Sequence, residues 1–254
     1  RRVVPDTDVS YALDGAIAWV RLDRPHRLNA VTAGLVDDLL DAFDRARSDG
    51  ARVVILAGTG RAFCAGFDLK DFTPDETLDD ARVRLQRLQD VTRRTLSYPG
   101  PVIAAVHGYA IGAGAEFALA CDLVIASADA VFAFPEVEVG LSSTNGASAI
   151  LPRLVGPLRA KELVLLGERF GADRAYELGL VTRVVPDGAH EAAAAEIAER
   201  LVARPAGALR LAKRLIDEGS EMSIAEALDA EVDIALSTLG TGEPQVATSA
   251  FRER

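Results

Sequence analysis

The chain has few of the residues that build metal centres and disulfide frameworks. It contains two cysteines, Cys64 and Cys121, and three histidines that are far apart in the sequence. A zinc site or a disulfide scaffold needs more of these side chains at closer spacing. We therefore expect no metal ion, and we expect both cysteines to be free thiols of a cytoplasmic protein.

Basic charge and long apolar runs are also scarce. The chain carries 28 lysines and arginines against 38 acidic residues, which gives a formal net charge of −10. This balance argues against nucleic acid, because binding its phosphates requires a basic face. No apolar run is long enough to span a membrane, and the N-terminal segment lacks the apolar core of a signal peptide. The sequence thus predicts neither a nucleic-acid partner nor a membrane.

Motifs for nucleotide binding and for serine chemistry are missing too. The turn Gly112-Ala113-Gly114 lacks the third glycine of a dinucleotide fingerprint, and the chain has no P-loop motif. The GxSxG motif that surrounds many serine nucleophiles does not occur either. The sequence therefore gives no sign of a nucleotide cofactor or of a serine nucleophile.

The first two thirds of the chain alternate short runs of Val, Ile and Ala with helical patterns. Buried strands are predicted at Val102–Val106 and Leu123–Ala126, and a hairpin is predicted around Asp14-Gly15. The last third is mainly helical. With 254 residues, of which 49% are hydrophobic, the chain is long enough for one substantial core. We predict an α/β core over residues 1–188 and a helical region over residues 189–254.

The stretch Pro101–Ser127 carries the strongest chemical signal. Its two predicted strands enclose a glycine-rich turn and a short helix, with Glu116 in the first turn of that helix. The unpaired N–H groups at the start of a helix suit an anion, or a carbonyl oxygen that becomes one during a reaction. Glu116 is a candidate catalytic base, yet a carboxylate there also favours the helix dipole without any chemistry.

Two loops provide candidate binding residues. Arg21, Arg24 and Arg27 form a positive cluster on an acidic chain, which suits a phosphorylated ligand or is an ordinary solvated surface. The loop RAFCAGFDLKDF, which contains Phe67 and Phe72, directly follows a predicted strand, where binding loops of α/β proteins lie. Its alternative role is simply to pack as a hydrophobic loop.

Two further glutamates, Glu136 and Glu138, follow Pro135. Alternation would place both side chains on one face of an extended segment. Spacing alone therefore does not decide which of the two matters.

Five segments follow one another along the chain: RPHRLNAVT, AFCAGFDL, AVHGYAIGAGAEFALACDLVIAS, FPEVEVGL and the run from LPRLVG to GLVTRVV. In this order and spacing they resemble the enoyl-CoA hydratase/isomerase (crotonase) superfamily, over nearly the whole chain. The resemblance implies a superhelix of stacked turns, each of two strands and a helix. It also implies C-terminal helices that form a homotrimer or a dimer of trimers, and an acyl-CoA thioester as ligand. No cofactor is implied beyond the coenzyme A that the substrate carries.

The resemblance also implies roles for individual positions. Phe67 and Ala113 would supply the two backbone N–H groups of an oxyanion hole. Glu116 and Glu136 would be the two catalytic glutamates, which favours Glu136 over Glu138. The other positions implied for acyl-CoA binding are Arg24, Arg27, Leu28, Ala65, Asp68, Leu69, Gly112, Pro135 and Leu141.

The implied activity is a hydro-lyase reaction, the addition of water across the 2,3 double bond of an enoyl-CoA. Glu116 would take a proton from the water while Glu136 protonates C2, and the two N–H groups would stabilise the enolate-like thioester. The nearest alternative is an isomerase that uses Glu136 alone. A non-catalytic acyl-CoA-binding protein is an alternative of another class.

Several positions depart from the family pattern. Phe67 replaces a small residue and should narrow the acyl pocket, and Ala113 replaces a glycine. Neither Ser143 nor Thr144 is the aspartate that naphthoate-synthase or dehalogenase relatives place nearby. The C-terminal STLGTGEPQVATSAFRER lacks the acidic-glycine pair common before the family's final Ala-Phe. The sequence leaves open the acyl chain, the pathway, the direction of the reaction and the choice between trimer and hexamer.

Overall fold

The computed structural model describes residues 7–70, 75–245 and 248. The strands are β1 (Val9–Asp14), β2 (Ile17–Leu22), β3 (Val53–Gly58), β4 (Ala62–Cys64), β5 (Val102–Val106), β6 (Tyr109–Ile111), β7 (Leu123–Ser127), β8 (Val131–Ala133), β9 (Phe170–Gly171) and β10 (Arg183–Val185). The α-helices are α1 (Ala33–Ser48), α2 (Leu78–Leu96), α3 (Ala113–Leu119), α4 (Ala147–Val155), α5 (Pro157–Leu166), α6 (Ala172–Glu177), α7 (His190–Val202), α8 (Ala206–Gly219) and α9 (Ile224–Gly240). Single turns of 3-10 helix lie at Pro25–Arg27 and Glu136–Val139.

The strands form two sheets, in the orders β1-β2-β3-β5-β7-β10 and β4-β6-β8-β9. β1 and β2 form the predicted antiparallel hairpin, in which Asp14 pairs with Ile17. From β2 onward the first sheet is parallel. The pairs β3/β4, β5/β6 and β7/β8 each place one strand in each sheet and are followed by α2, α3 and α4. The predicted α/β fold with stacked turns of two strands and a helix is confirmed.

Helices cover both faces of the first sheet at its centre, which explains why β3 and β5 read as uninterrupted apolar runs. Val54 and Leu56 of β3 face the larger core, to which α1 and α3 contribute. The neighbouring Ile55 faces a smaller core, which Ala194 and Ala198 of α7 close. Because successive side chains of a strand point to opposite faces, every position of β3 is buried.

Helix α3 lies directly against the backbone of β4. A Cβ atom on Gly114 would lie 2.2 Å from the carbonyl oxygen of Cys64, so only glycine permits this approach. Every residue of α3 is buried. The start of α3 is therefore held in a fixed position relative to the loop that follows β4.

The predicted C-terminal helical region contains α7, α8 and α9, and these three helices differ in how they pack. α7 packs on the first sheet, and its Ala194 and Ala198 belong to the smaller core of this chain. In α8 and α9, which the structure describes in full, no residue is buried. Lys213 joins α8 to the core through an ion pair with Asp122 at 2.8 Å. The large apolar side chains exposed on α8 and α9 are Ile216, Ile224, Leu228, Val232, Leu236 and Leu239.

The division of the chain at residue 188 stays a prediction. The last residues of the atypical C-terminus, Ala250 and Phe251 among them, lie outside the described residues, as does Phe72. Within residues 7–70, 75–245 and 248, no helix combines the length and the hydropathy needed to cross a membrane.

Candidate active site

A cavity of about 290 Å³ lies between the loop after β4, the turn before α3 and the segment after β8. Residues predicted from the sequence line much of it: Ala65, Phe67, Leu69, Gly112, Ala113, Pro135, Glu136 and Leu141. Residues that sequence reasoning missed complete the wall: Gly66, Arg84, Leu85, Leu88, Ile111, Val139, Ser142 and Thr144, with Glu138. Most of these additional residues belong to α2 or to the segment after Glu136, where no motif in the sequence identifies them.

Two backbone N–H groups on the cavity wall donate to no group in the described part of the chain. The first belongs to Phe67. Val31 is bonded to the residues on either side of it, through Val31 N–H to Gly66 O at 2.8 Å and Asp68 N–H to Val31 O at 2.9 Å, and the Phe67 N–H between them is unpaired. The second belongs to Ala113, at the first position of α3, where helix geometry provides no acceptor. A Cβ atom on Gly66 would lie 3.8 Å from the Ala113 nitrogen, so the two segments are in contact.

Gly112 sets the shape of the turn before α3. Its φ of 52° and ψ of −121° are accessible only to glycine. A Cβ atom there would also lie 2.7 Å from Oε1 of Glu136. The glycine takes the unusual backbone angles, so Ala113 can be an ordinary helical residue with a side chain. The replacement of glycine by Ala113 is thereby accommodated.

The prediction that Glu136 and Glu138 lie on an extended segment is wrong. Both belong to a 3-10 turn over Glu136–Val139, in which Glu138 N–H bonds to Pro135 O at 2.9 Å. Pro135 is the residue that precedes this turn, and its carbonyl accepts the first hydrogen bond of the turn. In this turn Glu136 reaches Gly112, whereas Glu138 is exposed.

Glu136 has an environment that disfavours its charged form. Burial is the main cause that raises the pKa of its carboxyl to about 6; a backbone hydrogen bond opposes this effect, and the negative charge of Glu116 contributes to the rise. Its buried Oε2 has no hydrogen-bond partner among the described residues. A half-buried carboxyl with a free oxygen and a pKa near neutrality can both give and take a proton.

Glu116 lies in the opposite kind of environment. Its side chain is buried, with 1% of the residue exposed. Oε1 accepts the Thr144 N–H at 2.9 Å, and Oε2 accepts the Thr144 hydroxyl at 3.1 Å and the Asn145 side-chain N–H at 2.8 Å. Among the described residues Glu116 is not part of the cavity wall. The sequence predicts that Glu116 and Glu136 share one site, but of these two residues only Glu136 lines the cavity.

Asp68 connects the loop after β4 to the loop after β2. It is 5% exposed and accepts hydrogen bonds from Nη2 of Arg27 at 2.8 and 2.9 Å, and Arg24 lies 3.6 Å away. Burial alone would raise the pKa of Asp68. The hydrogen bonds from Arg27 and from the Lys70 N–H, with the charges of both arginines, lower it below its usual value instead.

The positive cluster predicted at Arg21, Arg24 and Arg27 is neutralised by acidic partners. Arg21 pairs with Glu191 of α7 at 2.9 Å, away from Arg27 and its partner Asp68. The side chain of Arg24 is 14% exposed and donates to Ala30 O, whereas that of Arg27 is 29% exposed. The structure thus shows three ion-paired arginines rather than one open basic patch.

Asn29 holds the loop after β2 in place and was missed by sequence reasoning. Its side-chain N–H groups donate to the carbonyls of Thr59, Ala62 and Phe63 at 2.9, 2.8 and 3.2 Å. It is fully buried and has a φ of 55°, beside Leu28 with a φ of 52°. The expected binding residue Leu28 thus lies on a turn with left-handed backbone angles that Asn29 anchors to β4 and to the turn before it, and the Leu28 carbonyl accepts the Ala65 N–H of the loop after β4 at 3.0 Å. A polar residue within RLNAVT was the available signal.

The Phe67 ring separates the first cavity from a second one of about 600 Å³ between α1 and α2. Phe67, Arg84 and Leu88 line both cavities. The guanidinium of Arg84 lies 5.1 Å from the centre of the Phe67 ring and is held by Glu76 at 2.8 Å. A cation over an aromatic face stabilises this position of the ring between the two cavities.

The described residues contain no cluster of three or more His, Cys, Asp or Glu side chains that could hold a metal ion. Both cysteines have free thiols. Burial raises the pKa of the Cys64 thiol to about 12, which leaves it protonated at neutral pH.

Residues 13–254 match the family model described as enoyl-CoA hydratase/isomerase. A probable enoyl-CoA hydratase of Rhodobacter capsulatus is 37% identical over 211 residues, which cover 83% of this chain and 81% of that protein. The 1,2-epoxyphenylacetyl-CoA isomerase of Escherichia coli is 35% identical over 225 residues, which cover 87% of this chain and 86% of that protein. Relatives of similar identity thus have names for different reactions on CoA thioesters.

A solved structure with the same fold contains the expected kind of ligand. A Thermobifida fusca protein in complex with CoA superposes with a TM-score of 0.87 at 30% identity, and the match covers 92% of this chain and 94% of that one. Its similarity extends over nearly the whole length of both chains.

We predict that the Glu136 carboxyl titrates with a midpoint of about 6 instead of its usual 4.5, as measured by carbon-13 NMR of the labelled side chain. Glu116→Gln should lower this midpoint because it removes a negative charge, but burial should keep it above 4.5. Glu138→Gln is the matched control and should leave the midpoint unchanged. A midpoint near 4.5 in the unmodified protein would contradict the described burial of Glu136.

Proposed function

Since the chain belongs to the enoyl-CoA hydratase/isomerase family, we propose that it is an enoyl-CoA hydratase. It would add water across the 2,3 double bond of an enoyl-CoA thioester. One observation carries the proposal: a carboxyl with a raised pKa and a free oxygen, Glu136, lies in an apolar cavity beside two unpaired backbone N–H groups. Acid–base groups of this kind are typical of sites that move protons on and off carbon.

The two N–H groups suit the charge that the reaction develops. Addition of water to C3 makes the thioester carbonyl enolate-like, and the amides of Phe67 and Ala113 would donate to its oxygen. Loss of one such donor typically costs about 10²–10³ in rate. Both amides are fixed by the surrounding fold, so they need no reorganisation when the charge appears. The carboxyl of Glu136 would then deliver the proton to C2.

Binding of the coenzyme A part would use the loops on either side of the cavity. Arg27 keeps part of its side chain exposed while it bonds to Asp68, so it remains the better candidate than Arg24 for a phosphate contact. Leu28, Ala65 and Leu69 lie on the same two loops. The proposed reaction involves no oxidation or reduction, and coenzyme A enters as part of the substrate. The cytoplasmic location inferred from the sequence stays a prediction.

Isomerisation of the double bond is the second candidate, and one observation favours it. Only Glu136 of the two glutamates lies on the cavity wall, which is the arrangement that a reaction with a single acid–base group requires. A protein that only binds acyl-CoA is a weaker candidate. Mere binding gives no reason to keep a carboxyl buried without a partner, since this arrangement costs stability.

We predict that Glu136→Gln abolishes both hydration and isomerisation, and that Glu116→Gln separates the two. If the chain is a hydratase, Glu116→Gln should reduce hydration of crotonyl-CoA by about 10²–10⁴-fold. An isomerase that relies on Glu136 would retain most double-bond migration in that variant. Steady-state assays of both reactions, with binding of an acyl-CoA measured in parallel, distinguish these outcomes.

Stability has to be followed in the same experiment. In either orientation the amide of the Glu116→Gln variant turns its NH₂ toward a donor, either the Thr144 N–H or the Asn145 side-chain N–H, which should cost about 1–3 kcal/mol of unfolding free energy. Assays should therefore be run well below the melting temperature of every variant. A folded Glu116→Gln protein with full hydration activity would contradict the use of both glutamates.

We predict that Phe67→Ala joins the two cavities and moves the preference toward longer acyl chains. The variant keeps its backbone N–H, so turnover of short substrates should persist. The ratio of kcat/KM for long over short enoyl-CoA substrates should rise by about tenfold or more, the scale typical of one added methylene in an apolar pocket. Leu69→Ala is the control, because Leu69 lines only the first cavity. An unchanged ratio in Phe67→Ala would show that the acyl chain takes another path.

We further propose that α8 and α9 form the contacts of a homotrimer or a dimer of trimers. Their exposed apolar side chains need cover that this chain does not supply among its described residues. We predict a trimer or hexamer mass by light scattering at micromolar concentration. The double variant Val232→Glu and Leu236→Glu, which charges two neighbouring positions of α9, should lower this mass. A monomeric unmodified protein would contradict the assembly.

A further inference from the structure

We propose that Thr144 relays a proton from the attacking water to Glu116, so that the Thr144 hydroxyl is the group that contacts the water. This inference rests on the proposed hydration and adds a third side chain to that reaction. It begins from a difference between the two glutamates. Glu136 lies on the cavity wall, whereas Glu116 is covered.

Glu116 reaches the cavity only through its hydrogen-bond partners. With 1% of the residue exposed, it has almost no surface for a reacting water. Thr144 covers it with both its N–H at 2.9 Å and its hydroxyl at 3.1 Å, and Asn145 adds a bond at 2.8 Å. A base in this position needs an intermediate group to exchange a proton with the cavity.

Thr144 is placed to be that group. It lines the cavity together with Glu136, and its hydroxyl bonds to Oε2 of Glu116. Because a carboxylate oxygen only accepts, the hydroxyl proton is directed toward Glu116. The Asn145 side-chain N–H lies 3.3 Å from the same hydroxyl oxygen and occupies one of its two acceptor positions. One acceptor position therefore remains for a proton that arrives from the cavity.

The backbone around Thr144 keeps this geometry fixed. The next residue, Asn145, is fully buried with a φ of 47°, and its carbonyl accepts the Thr92 hydroxyl at 3.1 Å. Thr144 O accepts the Ala147 N–H at 2.9 Å at the start of α4. A left-handed conformation at a residue other than glycine requires support from its surroundings. That support positions the Thr144 hydroxyl in advance of the reaction.

The relay conserves protons and electron pairs. The water oxygen bonds to C3 as one of its O–H bonds breaks, and that proton passes to the Thr144 oxygen. The original hydroxyl proton of Thr144 moves to Oε2 of Glu116 along the existing hydrogen bond. The electron pair of the double bond ends in a new C2–H bond, with the proton supplied by Glu136. Return of the proton from Glu116 to Glu136, through Thr144 and the next water, resets the site.

Two substitutions at Thr144 test the relay. Thr144→Val removes the hydroxyl but keeps the backbone N–H that bonds to Glu116, whereas Thr144→Ser keeps both. Thr144→Val should lower kcat for crotonyl-CoA hydration by about 10²-fold or more, and Thr144→Ser should remain within about tenfold of the unmodified enzyme. Ser143→Ala is the matched control, because Ser143 is a neighbouring hydroxyl that is absent from the described cavity wall, and it should leave the rate unchanged.

Two further measurements separate a relay from a structural role. The double variant Thr144→Val with Glu116→Gln should be as active as the less active of the two single variants, since both substitutions interrupt the same proton path. The rate in mixtures of H₂O and D₂O should depend on more transferred protons for the unmodified enzyme and Thr144→Ser than for Thr144→Val, because the two relay protons add to the one that Glu136 gives to C2. A purely structural role would change the melting temperature or KM without changing this dependence.

Each remaining outcome overturns the proposal in a recognisable way. Hydration by Thr144→Val within a few-fold of the unmodified enzyme would show that Glu116 works without the hydroxyl. Equal losses in Thr144→Ser and Thr144→Val would show that the hydroxyl is not the cause. If the unmodified protein isomerised enoyl-CoA substrates but hydrated none, the hydratase proposal would fail and the relay would fail with it.

Discussion

The hydrogen bonds of the buried Asn29 side chain are the interaction on which the rest of the site depends. One amide group bonds to the carbonyls of Thr59, just after β3, and of Ala62 and Phe63 in β4, and it thereby joins the loop after β2 to the strand that leads into the Phe67 loop. The Asp68–Arg27 ion pair joins the same two loops further along. Together with the backbone bonds of Val31 to the residues on either side of Phe67, these links hold the Phe67 N–H in place near Ala113. A buried amide that lost its partners would also leave three carbonyls unsatisfied, so local distortion is costly.

The two glutamates show how a fold gives one residue type two properties. Glu116 has donors on both carboxylate oxygens, whereas Glu136 has a buried oxygen without any partner in the described chain. Hydrogen bonds to a carboxylate favour its charge, and burial without them disfavours it. The difference arises from the residues that pack against each glutamate. Thr144 and Asn145 approach Glu116, while Gly112 presents no side chain at all to Glu136.

Local sequence patterns predicted the fold well because the relevant forces act over a few residues. The apolar run Val102–Val106 corresponds to β5 without any difference in its bounds. The contacts of the site were less accessible, since they join distant positions. The acidic partners of Arg21 and Arg27 lie in α7 and in the loop after β4, and no spacing rule connects them. Glu136 was placed on an extended segment because alternation of residues does not distinguish a strand from a short 3-10 turn.

The C-terminal pair of helices has a consequence for how this protein behaves on dilution. α8 and α9 bury no residue within the described chain, so hydrophobic burial inside one protomer contributes little to their order. Segments with few buried contacts open at a low free-energy cost. If other protomers supply the missing cover, the order of these helices becomes a function of protein concentration, because association is governed by mass action. The sheets, by contrast, have their cores within a single chain, so their packing does not require another copy.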